Sequence, residues 1–182
     1  MNHSFKLLLG LLLGLVSLAL LAQDPEQDDG ADDLPFVQIE RVTDLQALGR
    51  RARREGKIIL MEIEASDCPY CRRLEEEILK PMLRSGDYED NTLIVQLEID
   101  SYADLTDWNG GNTTPAAFSQ RYGVFVTPTL LFLDAAGREV SKRIVGINSV
   151  DFFGAYVDEA LAEGRKRIRA QTAHNQTEQE NP

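Results

Sequence analysis

The chain has 182 residues, 43% of them hydrophobic and 27% charged, and its formal net charge is −11. This length predicts one packed domain rather than two large ones, and the apolar fraction excludes a wholly disordered protein. The acidic charge argues against nucleic acid as a partner, because binding to phosphate groups needs clustered Lys and Arg side chains.

The first 22 residues have the pattern of a secretory signal peptide. Lys6 precedes an apolar run from Leu7 to Ala22, and this run is shorter than the about 20 residues of a membrane-spanning helix. We therefore expect residues 1–22 to be removed on export, with an uncleaved membrane anchor as the alternative. Residues 23–34 are rich in Asp and Glu, and this composition predicts a disordered linker.

Residues 35–169 alternate between strand and helix patterns and are predicted to form the folded domain. The predicted strands are residues 36–42, 58–63, 93–99, 129–133 and 139–145, and the predicted helices are residues 44–55, 68–83, 115–122 and a last one capped at 148 or 149. Pro81 is expected to kink or end the second helix. The alternation predicts an α/β fold with a parallel core, to which a closing hairpin adds antiparallel strands. The polar residues 170–182 are predicted to be a disordered tail.

The motif that carries chemistry is Cys68-Pro69-Tyr70-Cys71, which stands where a predicted buried strand passes into a helix. Backbone N–H groups at a helix N-terminus stabilise a thiolate, so Cys68 is predicted to be exposed and nucleophilic, with Cys71 one turn deeper. This arrangement predicts thiol–disulfide exchange. A purely structural disulfide is one alternative, and a metal site is another that lacks two further ligands. We predict neither a metal nor a cofactor.

Together with Thr127-Pro128, which precedes a later strand, this motif resembles the thioredoxin superfamily. The resemblance implies a thioredoxin fold, in which a mixed central sheet has helices on both faces. It also implies that the Thr127–Pro128 peptide bond is cis, faces the disulfide, and pairs with an extended substrate segment. Pro69, Tyr70, Thr127 and Pro128 are accordingly the expected substrate-binding residues.

Glu62, six residues before Cys68, matches the buried carboxylate of thioredoxins. The resemblance implies that burial raises its pKa and that it exchanges a proton with Cys71. The alternative is a solvated side chain at the edge of the sheet. Two positions depart from the usual thioredoxin pattern: Asp67 replaces a Trp, and Gln96 replaces the Lys that faces the buried carboxylate.

With the predicted export, the sequence is most similar to the SoxW-like group of periplasmic thioredoxin-related proteins. This resemblance implies a periplasmic monomer that reduces protein disulfides and receives electrons from a membrane thiol transporter of the DsbD type. A disulfide-donating thiol oxidase would use the same residues, and a non-catalytic binding module would keep only the fold. The long segment 100–114 is predicted to be a loop that either selects substrates or is a neutral insertion.

Overall fold

The computed structural model describes residues 34–180. The predicted signal peptide, 1–22, and nearly all of the predicted linker, 23–34, lie outside the described residues. Within residues 34–180, no helix combines the length and the apolar character needed to cross a membrane.

The described residues form a mixed five-stranded sheet and a separate two-stranded hairpin. The strands are β1 (Glu40–Arg41), β2 (Ile58–Glu64), β3 (Thr92–Glu98), β4 (Leu105–Thr106), β5 (Asn112–Thr113), β6 (Thr129–Leu133) and β7 (Ile144–Val145). The helices are α1 (Leu45–Glu55), α2 (Pro69–Leu74), α3 (Lys80–Ser85), α4 (Pro115–Arg121) and α5 (Phe153–Glu180), with a π turn at Glu75–Leu79 joining α2 to α3. The sheet order is β1-β3-β2-β6-β7. Strands β1, β3 and β2 run parallel to one another, β6 is antiparallel to β2, and β7 is antiparallel to β6. This confirms the predicted mixed sheet.

The central strand β2 explains why the core has two halves. All seven of its residues are buried, and its side chains alternate between the two faces of the sheet. Ile58 and Leu60 pack with α2, α3 and α5, whereas Ile59 and Met61 pack with α1 and α4. A strand covered on both faces is expected to be largely apolar, and five of the seven residues here are apolar, the exceptions being Glu62 and Glu64. The predicted placement of helices on both faces is confirmed.

The first helix begins and ends at the residues whose chemistry predicts it. The Asp44 carboxylate accepts a hydrogen bond from the Ala47 backbone N–H at 2.8 Å, which satisfies one of the free donors of the first turn. Gly56 ends α1 with a φ of +66°, a left-handed conformation that favours glycine.

The helix that follows the two cysteines differs from its prediction at Pro81. It continues to Ser85 rather than ending near residue 83, because a π turn lies directly before the proline. Within that turn the Lys80 N–H bonds to the Glu75 carbonyl, five residues back. This wider turn relieves the clash that a proline ring makes with the preceding turn of an α-helix.

Segment 100–114 was predicted to be a loop, and this is wrong for Leu105–Thr106 and Asn112–Thr113, which are strands, whereas the rest of the segment is outside any strand or helix. It contains the hairpin β4–β5, in which Leu105 is buried in the core half that includes α1 and α4. The Thr106 N–H donates to the Thr43 carbonyl at 2.9 Å, and Asp107 forms an ion pair with Arg121 at 2.7 Å. These contacts make the hairpin part of the fold, since it covers one side of α1 and α4.

Trp108, at the tip of this hairpin, packs directly over Gly137. A Cβ atom added at Gly137 would lie 2.3 Å from the indole, and Gly137 also has a φ of +76°. We expect Gly137→Ala to lower the free energy of unfolding by about 3 kcal/mol, through backbone strain and overpacking together. Gly123→Ala is the matched control, because its φ is +62° but nothing lies within 4 Å of the added atom.

Denaturant unfolding of both variants measures the two contributions separately. The strain alone, read from Gly123→Ala, should cost about 1 kcal/mol. Equal losses in the two variants would show that Trp108 moves away at no cost and does not hold the hairpin in place.

The C-terminal part also departs from its predicted bounds. The strand predicted at 139–145 pairs with β6 only through Ile144–Val145 and through a bridge between Glu139 and Leu133. The last helix begins at Phe153 rather than near 149, and it continues to Glu180 where 170–182 was predicted to be a disordered tail. The added length is rich in Ala, Gln and Glu and lacks Gly and Pro before Pro182, so its helix propensity is high.

Candidate active site

The two cysteines form a disulfide at the N-terminus of α2, immediately after β2. Cys68 is the N-cap residue, and its Sγ atom accepts a hydrogen bond from the Cys71 backbone N–H at 3.1 Å. Cys71 is 1% exposed and lies deeper, as predicted. Cys68 is only 7% exposed, so the prediction of an exposed first cysteine is wrong for this oxidised state. Of the two cysteines, Cys68 is therefore the more accessible.

The loop before β6 supplies the second half of the site. The Thr127–Pro128 peptide bond is cis, as the resemblance implied. The Thr127 hydroxyl donates to Cys68 Sγ at 3.5 Å, although the two residues are 59 positions apart in the chain. The fold therefore brings both sequence motifs to the same point.

Glu62 lies inside the central strand, with its side chain completely buried. It pairs in register with Gln96 of β3 on one side and with Leu130 of β6 on the other. Both carboxylate oxygens lack a hydrogen-bond partner within the described part of the chain. The alternative of a solvated carboxylate at a sheet edge is therefore wrong, because β2 has a neighbouring strand on each side.

Burial, together with the smaller effects of the charges of Glu75 and Glu64, raises the pKa of Glu62 from its ordinary value of 4.5 to about 9. Gln96 lies in the predicted position beside the carboxyl group and brings no positive charge to oppose this shift. Glu62 is thus an uncharged acid at neutral pH.

Glu75 is a site residue that the sequence analysis missed. It follows Cys71 by four positions, so the two side chains lie on the same face of the helix. Its charge raises the pKa of both Glu62 and Glu64. The spacing of four from Cys71 is the sequence signal that could have identified it.

A second group of carboxylates lies one step further along the sheet. Glu64 and Glu98 are opposite each other on β2 and β3, and Arg41 of β1 pairs with both, at 3.0 Å from Glu64. Burial raises the pKa of Glu64, Arg41 opposes this shift, and Glu98 adds to it. Arg41 thus offsets part of the negative charge at the carboxyl ends of the parallel strands.

The segment before the first cysteine is held from the side by Asp100. This carboxylate accepts hydrogen bonds from the Ser66 hydroxyl at 2.7 Å and from the Ser66 backbone N–H at 3.0 Å. These bonds hold the pKa of Asp100 below its usual range. The beginning of segment 100–114 therefore lies beside the site, whereas the hairpin that follows it packs against α1 and α4.

Exposed apolar side chains adjoin both motifs of the site in the chain. Tyr70, predicted to bind substrate, is 61% exposed, and Pro69 is also exposed. Phe125 is 80% and Val126 53% exposed, directly before Thr127, and sequence analysis missed both. The sequence signal for these two residues is that they are apolar although they lie outside any predicted helix or strand, directly before the Thr-Pro motif. Among the described residues, no group of three or more His, Cys, Asp or Glu side chains could hold a metal.

Comparisons with known proteins bear on the family of the chain. The family model described as a thioredoxin-like domain matches residues 45–161. The chain is 27% identical over 127 residues to the thiol:disulfide interchange protein DsbD of Pseudoalteromonas atlantica, covering 69% of this chain and 20% of the relative. It is 28% identical over 157 residues to DsbD of Yersinia enterocolitica, covering 83% and 25%. The chain thus spans a fifth to a quarter of the length of these curated relatives.

Among solved structures, the chain is similar to two thioredoxins. The thioredoxin of Fasciola hepatica has a TM-score of 0.48 and 16% identity, over 69% of this chain and 99% of that one. Poplar thioredoxin h has a TM-score of 0.48 and 20% identity, over 67% and 96%.

Proposed function

The chain belongs to the thioredoxin-like domain family, and from this premise we propose that it reduces disulfides of other proteins through Cys68 and Cys71. One observation carries the proposal: the disulfide at the N-terminus of α2 lies against the cis Thr127–Pro128 loop, with Cys68 the more accessible of its two cysteines. Once reduced, a pair in this place can meet the disulfide of an extended substrate segment that lies along the loop.

The reaction begins from the reduced dithiol. The Cys68 thiolate attacks one sulfur of the substrate disulfide, whose S–S bond breaks, and the departing thiolate takes up a proton. Cys71 then loses its proton and attacks Cys68 Sγ, which forms the Cys68–Cys71 bond and releases the second substrate thiol. Two electrons and two protons pass from the protein to the substrate, and a dithiol donor must restore them before the next turnover.

Glu62 is proposed to exchange a proton with Cys71, and it accepts that proton through its ionised fraction, which is small at neutral pH and grows as the pH rises towards 9. A base is most effective when its pKa is close to that of the group it serves, and a free cysteine has a pKa of about 8.5. The pKa of about 9 at Glu62 is close to that value. The carboxyl oxygens make no competing hydrogen bond, so they remain available for this transfer.

The finer assignments follow from the sequence and are part of the proposal. Residues 1–22 would direct export to the periplasm, and 23–34 would link them to a monomeric domain. A membrane thiol transporter of the DsbD type would supply electrons, as in the SoxW-like group. The apolar run after Lys6 and the name of the curated relatives, thiol:disulfide interchange protein, support these assignments.

The reduction potential of the Cys68–Cys71 couple tests the direction of electron flow. We expect equilibration against glutathione buffers to give a reduction potential of about −270 mV, as for thioredoxin, because a reductase must hold electrons weakly enough to pass them on. A value near the about −120 mV of strong oxidants would instead identify a disulfide donor. Failure of the pair to equilibrate with glutathione would identify a binding module with a structural disulfide.

A further inference from the structure

Two cavities lie next to each other beside the disulfide. The first, of about 390 Å³, is lined by Ile99, Asp100, Ser101, Tyr102, Ala103, Asp104, Thr114 and Ala116. The second, of about 400 Å³, is lined by Ile99, Ala116, Ser119, Gln120, Val124 and Phe125. Because Ile99 and Ala116 line both cavities, the two adjoin, and we call them together the flank groove.

The flank groove reaches both loops that hold the Cys68 sulfur. At one end, Asp100 accepts hydrogen bonds from Ser66, two residues before Cys68. At the other end, Phe125 is two residues before Thr127, whose hydroxyl contacts the sulfur. A polypeptide whose cysteine is at the site would therefore place its neighbouring side chains in this groove.

The acidic end of the flank groove has the chemistry of a site for a long cationic side chain. Asp100 and Asp104 are both exposed, and no Lys or Arg lines either cavity. Ile99 and Ala116 offer an apolar floor for the methylene stem of such a side chain. Tyr102, whose side chain is fully exposed, offers an aromatic face for the charged group.

The carboxylate of Asp104 is free to bind an external cation. Asp100 already accepts its hydrogen bonds from Ser66, whereas the Asp104 carboxylate has no hydrogen bond or ion pair within residues 34–180. An incoming cation at Asp104 would therefore displace no contact of the fold. The net charge of −11 attracts basic partners at longer range.

We propose that the flank groove selects substrates with Lys or Arg close to the reacting cysteine, so that the substrate class is a basic disulfide-bearing polypeptide segment. This inference rests on the proposed function and names the specificity of that site. Phe125, at the other end of the groove, would contact an apolar neighbour of the same segment.

The test measures the rate at which the reduced full-length protein reduces three peptide disulfides. The peptides are identical except for Arg, Gln or Glu at the position two residues before the cysteine. We expect the Arg peptide to react about tenfold faster than the Glu peptide at low salt, with the ratio falling as salt is added, because exposed charge pairs are screened.

Three variants locate the origin of the preference. Asp104→Asn is expected to lower the Arg-to-Glu rate ratio by about fivefold, and Tyr102→Ala to lower it by about twofold. Asp90→Asn is the matched control: it removes the same charge from an exposed aspartate just before β3, at the end of the strand opposite to Asp100. We expect this variant to keep the ratio of the unmodified protein.

The outcomes separate this inference from the proposed function. Equal rates for the three peptides would overturn the inference while leaving the reductase function in place. Equal effects of Asp104→Asn and Asp90→Asn would also overturn it, because only the net charge would then matter. If none of the peptides were reduced, the proposed function itself would fail and the inference with it.

Discussion

Replacing Cys68 with Ser is expected to reduce the turnover of a disulfide substrate by more than about a thousandfold, because a hydroxyl at neutral pH does not attack a disulfide sulfur as a thiolate does. The fold should be retained, since serine is nearly the same size and Cys68 keeps a small exposed area at the end of α2. Reduction of a peptide disulfide by the purified variant, together with its unfolding transition, measures both properties. Undiminished turnover would remove Cys68 from the mechanism.

Replacing Cys71 with Ser is the complementary experiment, because it removes the second step and leaves the first. We expect the mixed disulfide between Cys68 and the substrate to accumulate, since no second thiolate can resolve it. Mass spectrometry under non-reducing conditions detects this adduct, and the double variant that lacks both sulfurs is its control. If Cys71→Ser still turned over its substrate at the original rate, another group would be resolving the intermediate.

Replacing Glu62 with Leu is expected to stabilise the fold while it impairs the reaction. The folded protein holds the pKa of Glu62 at about 9, above its ordinary value of 4.5. Because folding raises the pKa of this group, its contribution to the free energy of unfolding is largest below pH 4.5 and falls as the pH rises towards 9. Between these two pH values, the free energy of unfolding falls by about 1.4 kcal/mol for each pH unit.

At pH 7, Glu62→Leu should therefore raise the free energy of unfolding by about 3 kcal/mol or more, because the cost of keeping an unpartnered acid buried is removed. Denaturant unfolding at pH 5, 7 and 9 measures this, and the pH dependence should become weaker in the variant. Glu89→Leu is the control, since Glu89 is an exposed glutamate in the turn before β3. An unchanged pH profile in Glu62→Leu would mean that Glu62 is ionised in the folded protein.

The same variant should lose activity for a separate reason. Without Glu62, Cys71 loses the carboxyl group proposed to exchange its proton, and we expect turnover to fall by about a hundredfold, which is typical for the loss of an acid–base group. A protein that is more stable but slower is the expected combination for a buried carboxyl retained for its chemistry. Equal turnover would leave Glu62 without a role in the reaction.

The sequence by itself determined the parts of this protein that depend on short-range chemistry. The apolar run in β2 is set by burial on two faces, and the bounds of α1 follow from the caps at Asp44 and Gly56. The disulfide between Cys68 and Cys71 follows from a spacing of three residues at a helix start. Each of these features involves residues that are a few positions apart in the chain, so the sequence pattern is enough to predict them.

Only the tertiary structure decided the features that depend on residues far apart. Burial on both sides of the central strand sets the pKa of Glu62, and the contact with the Cys68 sulfur comes from Thr127, 59 positions later. The small hairpin within segment 100–114 is held by α1 and α4, and its short strands carry no alternating pattern of their own. Burial, charge and sheet pairing in these places arise from elements that meet only after the chain has folded, and for this reason local pattern could not reveal them.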